Sequence, residues 1–144
     1  MSEQNFSNHT RFVMPFHFFV LPVFVANLIW SILRLFRTEL SFGGVMYFLI
    51  AAALVVMALY ARLFALSVQD RVIRLEERLR YERLLPGELK GRIDEFSVDQ
   101  MVALRFASDG EVADLARRVL EGQLKSRKAI KQQVRNWKAD HLRA

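Results

Sequence analysis

Seven bases, Lys125, Arg127, Lys128, Lys131, Arg135, Lys138 and Arg143, stand in the last twenty residues against one acid, Asp140. Everything before Lys125 sums to zero, so the whole net charge of +6 belongs to this segment. The chemistry open to it is anion binding. Three readings compete: attraction to anionic head groups, worth roughly 1 kcal/mol per base close to a membrane surface; nucleic-acid binding by a basic face; and a solvated helix face whose Ile130, Val134 and Trp137 stripe is core. Other reactive residue types are sparse. His17 has no second ligand at i+3 or i+4 and reads as an interfacial side chain. His141, beside Asp140, reads as a helix-end residue interacting with the C-terminal dipole. There is no glycine-rich phosphate loop, no histidine pair at ligand spacing and no nucleophile motif. The absence of cysteine excludes disulfides and thiolate metal sites. No enzymatic activity, cofactor or metal is expected.

The elements that position these bases begin with hydrocarbon. Residues 12–36 ("FVMPFHFFVLPVFVANLIWSILRLF") contain about twenty consecutive residues without a full charge, enough to cross a bilayer as a helix. Residues 43–66 open with a second such run, "GGVMYFLIAAALVVMALYA". The first run is longer than the apolar core of a signal peptide and no A-x-A site follows it, so a retained span is expected. The two spans then form a hairpin with a turn near "RTELSFGG", where Thr38, Ser41, Gly43 and Gly44 supply turn chemistry. Arg11, Arg62, Arg71, Arg74, Arg78 and Arg80 flank the spans on the terminal side against Arg34 and Arg37 in the turn, which places both termini in the cytoplasm. The N-x-S/T patterns at Asn5 and Asn8 are chance matches in that setting.

Pro15 and Pro22 each remove a backbone donor, so the first helix is expected to kink or start late near Pro15. Asn27 suits a hydrogen bond across to the second helix, while Trp30 and Tyr60 fit the aromatic belts at the two interfaces. The second helix is expected to run on past the membrane through residues 67–85 as a stalk. From Gly43 to Leu85 it would be on the order of 65 Å long. One heptad phase reads Gly44, Ala51, Ala58, Ala65, Val72 and Leu79 at a, and Tyr47, Leu54, Ala61, Val68, Leu75 and Glu82 at d. The a positions are small where lipid surrounds the helix, which allows close backbone approach, and become Val and Leu where water does. The aqueous part of this packing seam lasts barely two heptads, and whether it meets the first span or another copy is open. Asp70 with Arg74, and Glu76 with Arg80, sit one turn apart as favourable pairs on an exposed face.

Residues 86–144 read as a small helical unit. Ser97 with Gln100, Ser108 with Glu111, and Ser126 are start signals. Val98, Met101, Val102 and Phe106, then Val112, Leu115, Val119 and Leu120, then Ile130, Val134, Trp137 and Leu142 follow at helical spacing. Three short helices result, the last a basic one running to the C-terminus, with "GELKGRIDEF" adding a turn or two. The fold class expected is therefore all-α: a transmembrane hairpin, a stalk continuing the second span, and a C-terminal helical domain. About sixty residues bury a core only marginally, so this unit should lean on the stalk or on a second copy.

Four segments, "QNFSNHTRFV", "FALSVQDRVIRLEERLR", "VALRFASDGEV" and "RKAIKQQVRNWKADHLRA", in this order behind two apolar runs, resemble a bacterial family of small membrane proteins known only as a domain of unknown function. The similarity spans nearly the whole chain, most specifically Ser67 to Arg80. It implies a bacterial inner-membrane protein with a cytoplasmic helical tail, and carries over no reaction, substrate or functional residue. Members of such families are sometimes labelled transporter permeases, but two spans with almost no intramembrane polarity argue against an independent transporter. The expected partners are membrane lipids, a second copy of the chain, and another membrane or cytoplasmic protein. The preferred function is a non-enzymatic scaffold; an accessory subunit of a transport or channel complex is the alternative, and a membrane-tethered nucleic-acid binder a third.

Overall fold

A single helix of 43 residues dominates the structure, a computed structural model that describes residues 5–6, 13–37 and 41–140. The chain divides into two units, one built from residues 11–66 and the other mainly from residues 67–143. The described residues are all-α, without a strand.

In the first unit a π-helical turn, Phe16–Val20, leads into α1, Leu21–Arg37. The disturbance expected from Pro15 and Pro22 takes the form of this wider turn. The Leu21 amide bonds the Phe16 carbonyl, five residues back, so the ladder shifts register just before Pro22, which has no donor to give. α2, Phe42–Leu84, starts at Ser41, whose hydroxyl accepts the Gly44 amide at 3.1 Å. Residues 38–40 of the expected turn, Thr38 among them, lie outside the described residues, as do Asn8, Arg11, His141 and Arg143.

α1 and the first half of α2 lie antiparallel. The Tyr47 hydroxyl donates to Asn27 Oδ1 at 2.6 Å, the cross-helix use expected of Asn27, and the Arg34 guanidinium lies 5.9 Å from the centre of the Tyr47 ring. At Gly44 an added Cβ would stand 3.6 Å from Leu35 Cδ1, an ordinary van der Waals distance, and 3.3 Å from Ser41 Oγ, so Leu35 of the first helix lies beside this position. Ala51 and Ala58 are buried, as is Ser31, whose hydroxyl bonds the Leu28 carbonyl at 2.7 Å. The π-helical turn together with α1, Phe16–Arg37, and α2 are each long and apolar enough to cross a membrane.

The second unit takes in the charged end of α2 and the elements after it: α3 (Gly87–Lys90), a 3-10 turn (Ile93–Glu95), α4 (Val98–Leu104), α5 (Val112–Leu120) and α6 (Arg127–Gln133). The start signals act unequally. Ser97 and Gln100 form a full reciprocal capping box, and Ser126 caps α6 through the Ala129 amide. At Ser108 only half a box forms: its amide bonds Glu111, and α5 begins at Val112. α5 ends in a Schellman motif, with Gly122 at φ 76°, its amide on the Val119 carbonyl and the Gln123 amide on the Arg118 carbonyl. Tyr81 from α2 and Leu85 just after it join Phe96, Met101, Leu104, Val112, Leu115, Val119 and Ile130 in one core. The unit thus leans on the stalk, as its size requires.

The last helix is shorter than its apolar spacing predicts. α6 stops at Gln133, and the chain then runs extended, pairing Trp137 with Ala107 in an isolated antiparallel bridge. The cause is a competing set of hydrogen bonds. The Glu111 carboxylate accepts the Arg135 and Asn136 amides, each at 3.1 Å; the Ser108 amide bonds the Asn136 carbonyl; and the Lys138 amide bonds the Phe106 carbonyl at 2.8 Å. These replace the helical partners of the same groups and seat the Trp137 ring 4.9 Å from Phe106.

Candidate functional site

From Ser67 to Leu84, α2 presents two opposite faces, because residues seven and eleven apart return to the same side of a helix. Ile73, Glu77, Arg80 and Tyr81 face inward and are buried. Val68, Val72, Leu75 and Leu79 form a stripe on the other side and are 49–60% exposed. Arg71 and Glu76 border this stripe on opposite edges, both exposed.

The inward face holds a buried charge cluster. The Arg80 guanidinium meets Glu77 Oε2 at 3.2 Å through Nη1, Asp109 Oδ1 at 2.8 Å through Nε, and the Ala107 carbonyl at 2.7 Å through Nη2. Burial pushes the Glu77 carboxyl above its ordinary value, against the opposing pull of Arg80. Burial, and next the Glu77 charge, push the neighbouring Tyr81 phenol well up. Among the described residues the buried Tyr81 hydroxyl finds no well-formed hydrogen bond. The hydrogen bond from Arg80 holds the exposed Asp109 carboxyl below its ordinary value. The cluster ties α2 to the loop after α4.

The ion pairs differ from those the spacing predicts. Asp70 bonds Arg127 at 3.3 Å rather than Arg74, and Arg80 takes Glu77 instead of Glu76. Arg80 lies on the buried face, and Arg127 is brought to Asp70 and Asp99 by the packing of α6.

The packing seam is divided by its surroundings. Ala51 and Ala58 are buried and Gly44 is partly covered, whereas Ala65, Val72, Leu75 and Leu79 are exposed. The basic residues do not make one helical face. Arg127, Lys128 and Lys131 lie on α6, Lys125 precedes it, and Arg135 and Lys138 fall on the extended segment. Arg127 is held by two carboxylates, and the Lys131 ammonium sits 5.0 Å over the Phe106 ring. Lys125, Lys128, Arg135 and Lys138 are exposed. His17 Nδ1 lies 3.0 Å from the carbonyl of Val13. Among the described residues, no group of three or more His, Cys, Asp or Glu side chains is placed to hold a metal.

Two residues matter more than the sequence suggests. Glu111 anchors the C-terminal segment, and Glu77 is the buried partner of Arg80. The i, i+4, i+8 spacing of Ile73, Glu77 and Tyr81 is the signal that puts Glu77 on a packed face.

Among the described residues these features define an all-α fold with two helices apolar enough to cross a membrane and a small helical unit built on the end of the second. The chain belongs to the family of unknown function DUF6526, which it matches over residues 1–144. No curated protein and no solved structure matches it.

Proposed function

We propose that this protein is a non-enzymatic scaffold of the bacterial inner membrane, with both termini in the cytoplasm, that associates with itself through the exposed stripe of α2. The observation that carries this reading is Val68, Val72, Leu75 and Leu79, four apolar side chains at heptad spacing on the charged part of the helix, left bare while the opposite face packs. Membrane insertion is supported by the exposure of the apolar windows in both long helices, 6% and 11% buried, where a soluble protein would bury them. Trp30 and Tyr60 are exposed, as interfacial anchors are. The exposed Lys125 and Lys128 suit contact with anionic lipid.

Because Ala51 and Ala58 are covered, Leu75 is the position at which to test association. Full burial of a leucine contributes about 1.5–3 kcal/mol, so covering a side chain 60% exposed is worth about 1–2 kcal/mol per copy. Native mass spectrometry of the nanodisc-embedded protein should give a discrete homo-oligomer that Leu75→Arg converts to monomer. A monomeric wild type, or an oligomer indifferent to Leu75→Arg, refutes the proposal. A different membrane protein bound in fixed ratio to a single copy would make the chain an accessory subunit instead.

A further inference from the structure

Resting on that reading of the stripe, we propose that two copies pair parallel and in register along Val68–Leu79, with Arg71 of each facing the partner's Glu76. In the heptad, Val72 and Leu79 occupy a, and Val68 and Leu75 occupy d. Arg71 then falls at g, just before Val72, and Glu76 at e, just after Leu75. In a parallel two-stranded coil a g residue meets the e residue five positions further along the partner, and 71 leads to 76. The symmetry makes this contact twice. Among the described residues neither side chain is engaged in an ion pair within its own chain, and both are exposed at the edges of the stripe.

The antiparallel alternative has the opposite electrostatics. It sets g against g, bringing Arg71 towards the partner's Arg78, and leaves Glu76 near the partner's Gln69. The parallel arrangement does bring Arg78 towards the partner's Arg83. Arg78, however, is already engaged by Asp94 at 2.7 Å and by Glu82 at 3.5 Å. Val72 at a beside Leu75 at d is the combination that favours two strands. Two heptads fall short of the three or four that sustain a soluble coil. Anchoring both copies in one bilayer lowers the cost of association, and α2 is one continuous helix, so copies at equal depth bring like-numbered residues level.

The chain lacks cysteine, so each cysteine variant carries one thiol. In nanodiscs treated with a thiol-specific oxidant, Leu75→Cys should cross-link to a homodimer. Differently tagged Val68→Cys and Leu79→Cys chains, mixed, should give no heterodimer; its formation would show antiparallel pairing and overturn the proposal. Arg71→Glu alone and Glu76→Arg alone should each reduce the dimer by about five- to tenfold, and the double exchange should restore it to within about twofold. A double exchange no better than the single variants overturns the register. The mass of the wild type separates the two ideas: a monomer sinks self-association itself, whereas a dimer whose cross-links or charge exchange fail sinks only the parallel pairing.

Discussion

Replacing Arg80 by alanine should destabilise the second unit in a way that depends on pH. Arg80 and Glu77 are each 5% exposed, and the guanidinium also bonds Asp109 and the Ala107 carbonyl. Removing one member of a buried pair costs about 3–5 kcal/mol, because the remaining charge is left without compensation. That figure applies where Glu77 stays ionised. A carboxyl whose folded pKa is raised contributes stability below its unfolded value, near 4.5, and loses it as pH rises through the folded value. Arg80 opposes the rise, so its loss pushes the Glu77 carboxyl further up and carries the penalty into a more alkaline range. Each tenfold change in proton affinity is worth about 1.4 kcal/mol. At pH 8 the full loss of about 3–5 kcal/mol is expected. At pH 5 the loss should be smaller, falling towards the about 1–2 kcal/mol of the lost hydrogen bonds, because the raised proton affinity of Glu77 favours its neutral form as pH falls. Urea unfolding in mild detergent, followed by Trp137 fluorescence in a Trp30→Phe background, measures both, since Trp137 packs against the core of this unit. Equal losses at the two pH values, or a greater loss at pH 5, would refute the reasoning.

The same assay tests the first two of three further substitutions. Glu111→Ala leaves the Ser108, Arg135 and Asn136 amides without their carboxylate, so a loss of about 1–3 kcal/mol is expected, with Trp137 becoming more accessible to quenchers. Gly122→Ala places a side chain at φ 76° and should cost about 1–2 kcal/mol from backbone strain alone, because nothing lies within 4 Å of the new methyl. Tyr47→Phe deletes the hydrogen bond to Asn27 and should cost only about 0.6 kcal/mol, read as a small fall in the detergent-solubilised melting temperature.

The long helix was legible from sequence almost to the residue, because residues 43–85 contain one proline-free heptad pattern against the 42–84 observed, and helix continuation is a local property. Asn27, Ser97 and Ser126 were legible for the same reason: each acts through the chemistry of its own position. The destination of the heptad seam was not. A phase belongs to one helix and is silent about its neighbours, so Ala51 and Ala58 become buried while Leu75 and Leu79 stay bare. Val134 and Trp137 misled for a related reason. Three residues apart, they fit a helix, but Glu111, more than twenty residues away, supplies better partners to the intervening amides. Arg80 was assigned to Glu76 by spacing, and only the packed core shows that Glu77 lies on its side.

The extended segment that ends on Trp137 sets an order of events during synthesis. Its bonds to Phe106 and Ser108 close the second unit, so that unit cannot complete its fold until Lys138 has left the ribosome. At about 5–20 residues per second, the stretch from Leu85 to Lys138 takes roughly 3–10 s to translate. Throughout that interval the two apolar helices are already made, while Phe106 and Ala107 wait for their cover. A nascent chain therefore holds both apolar helices before its tail can fold, and a chain cut short before Trp137 lacks the bonds that cover Phe106 and Ala107.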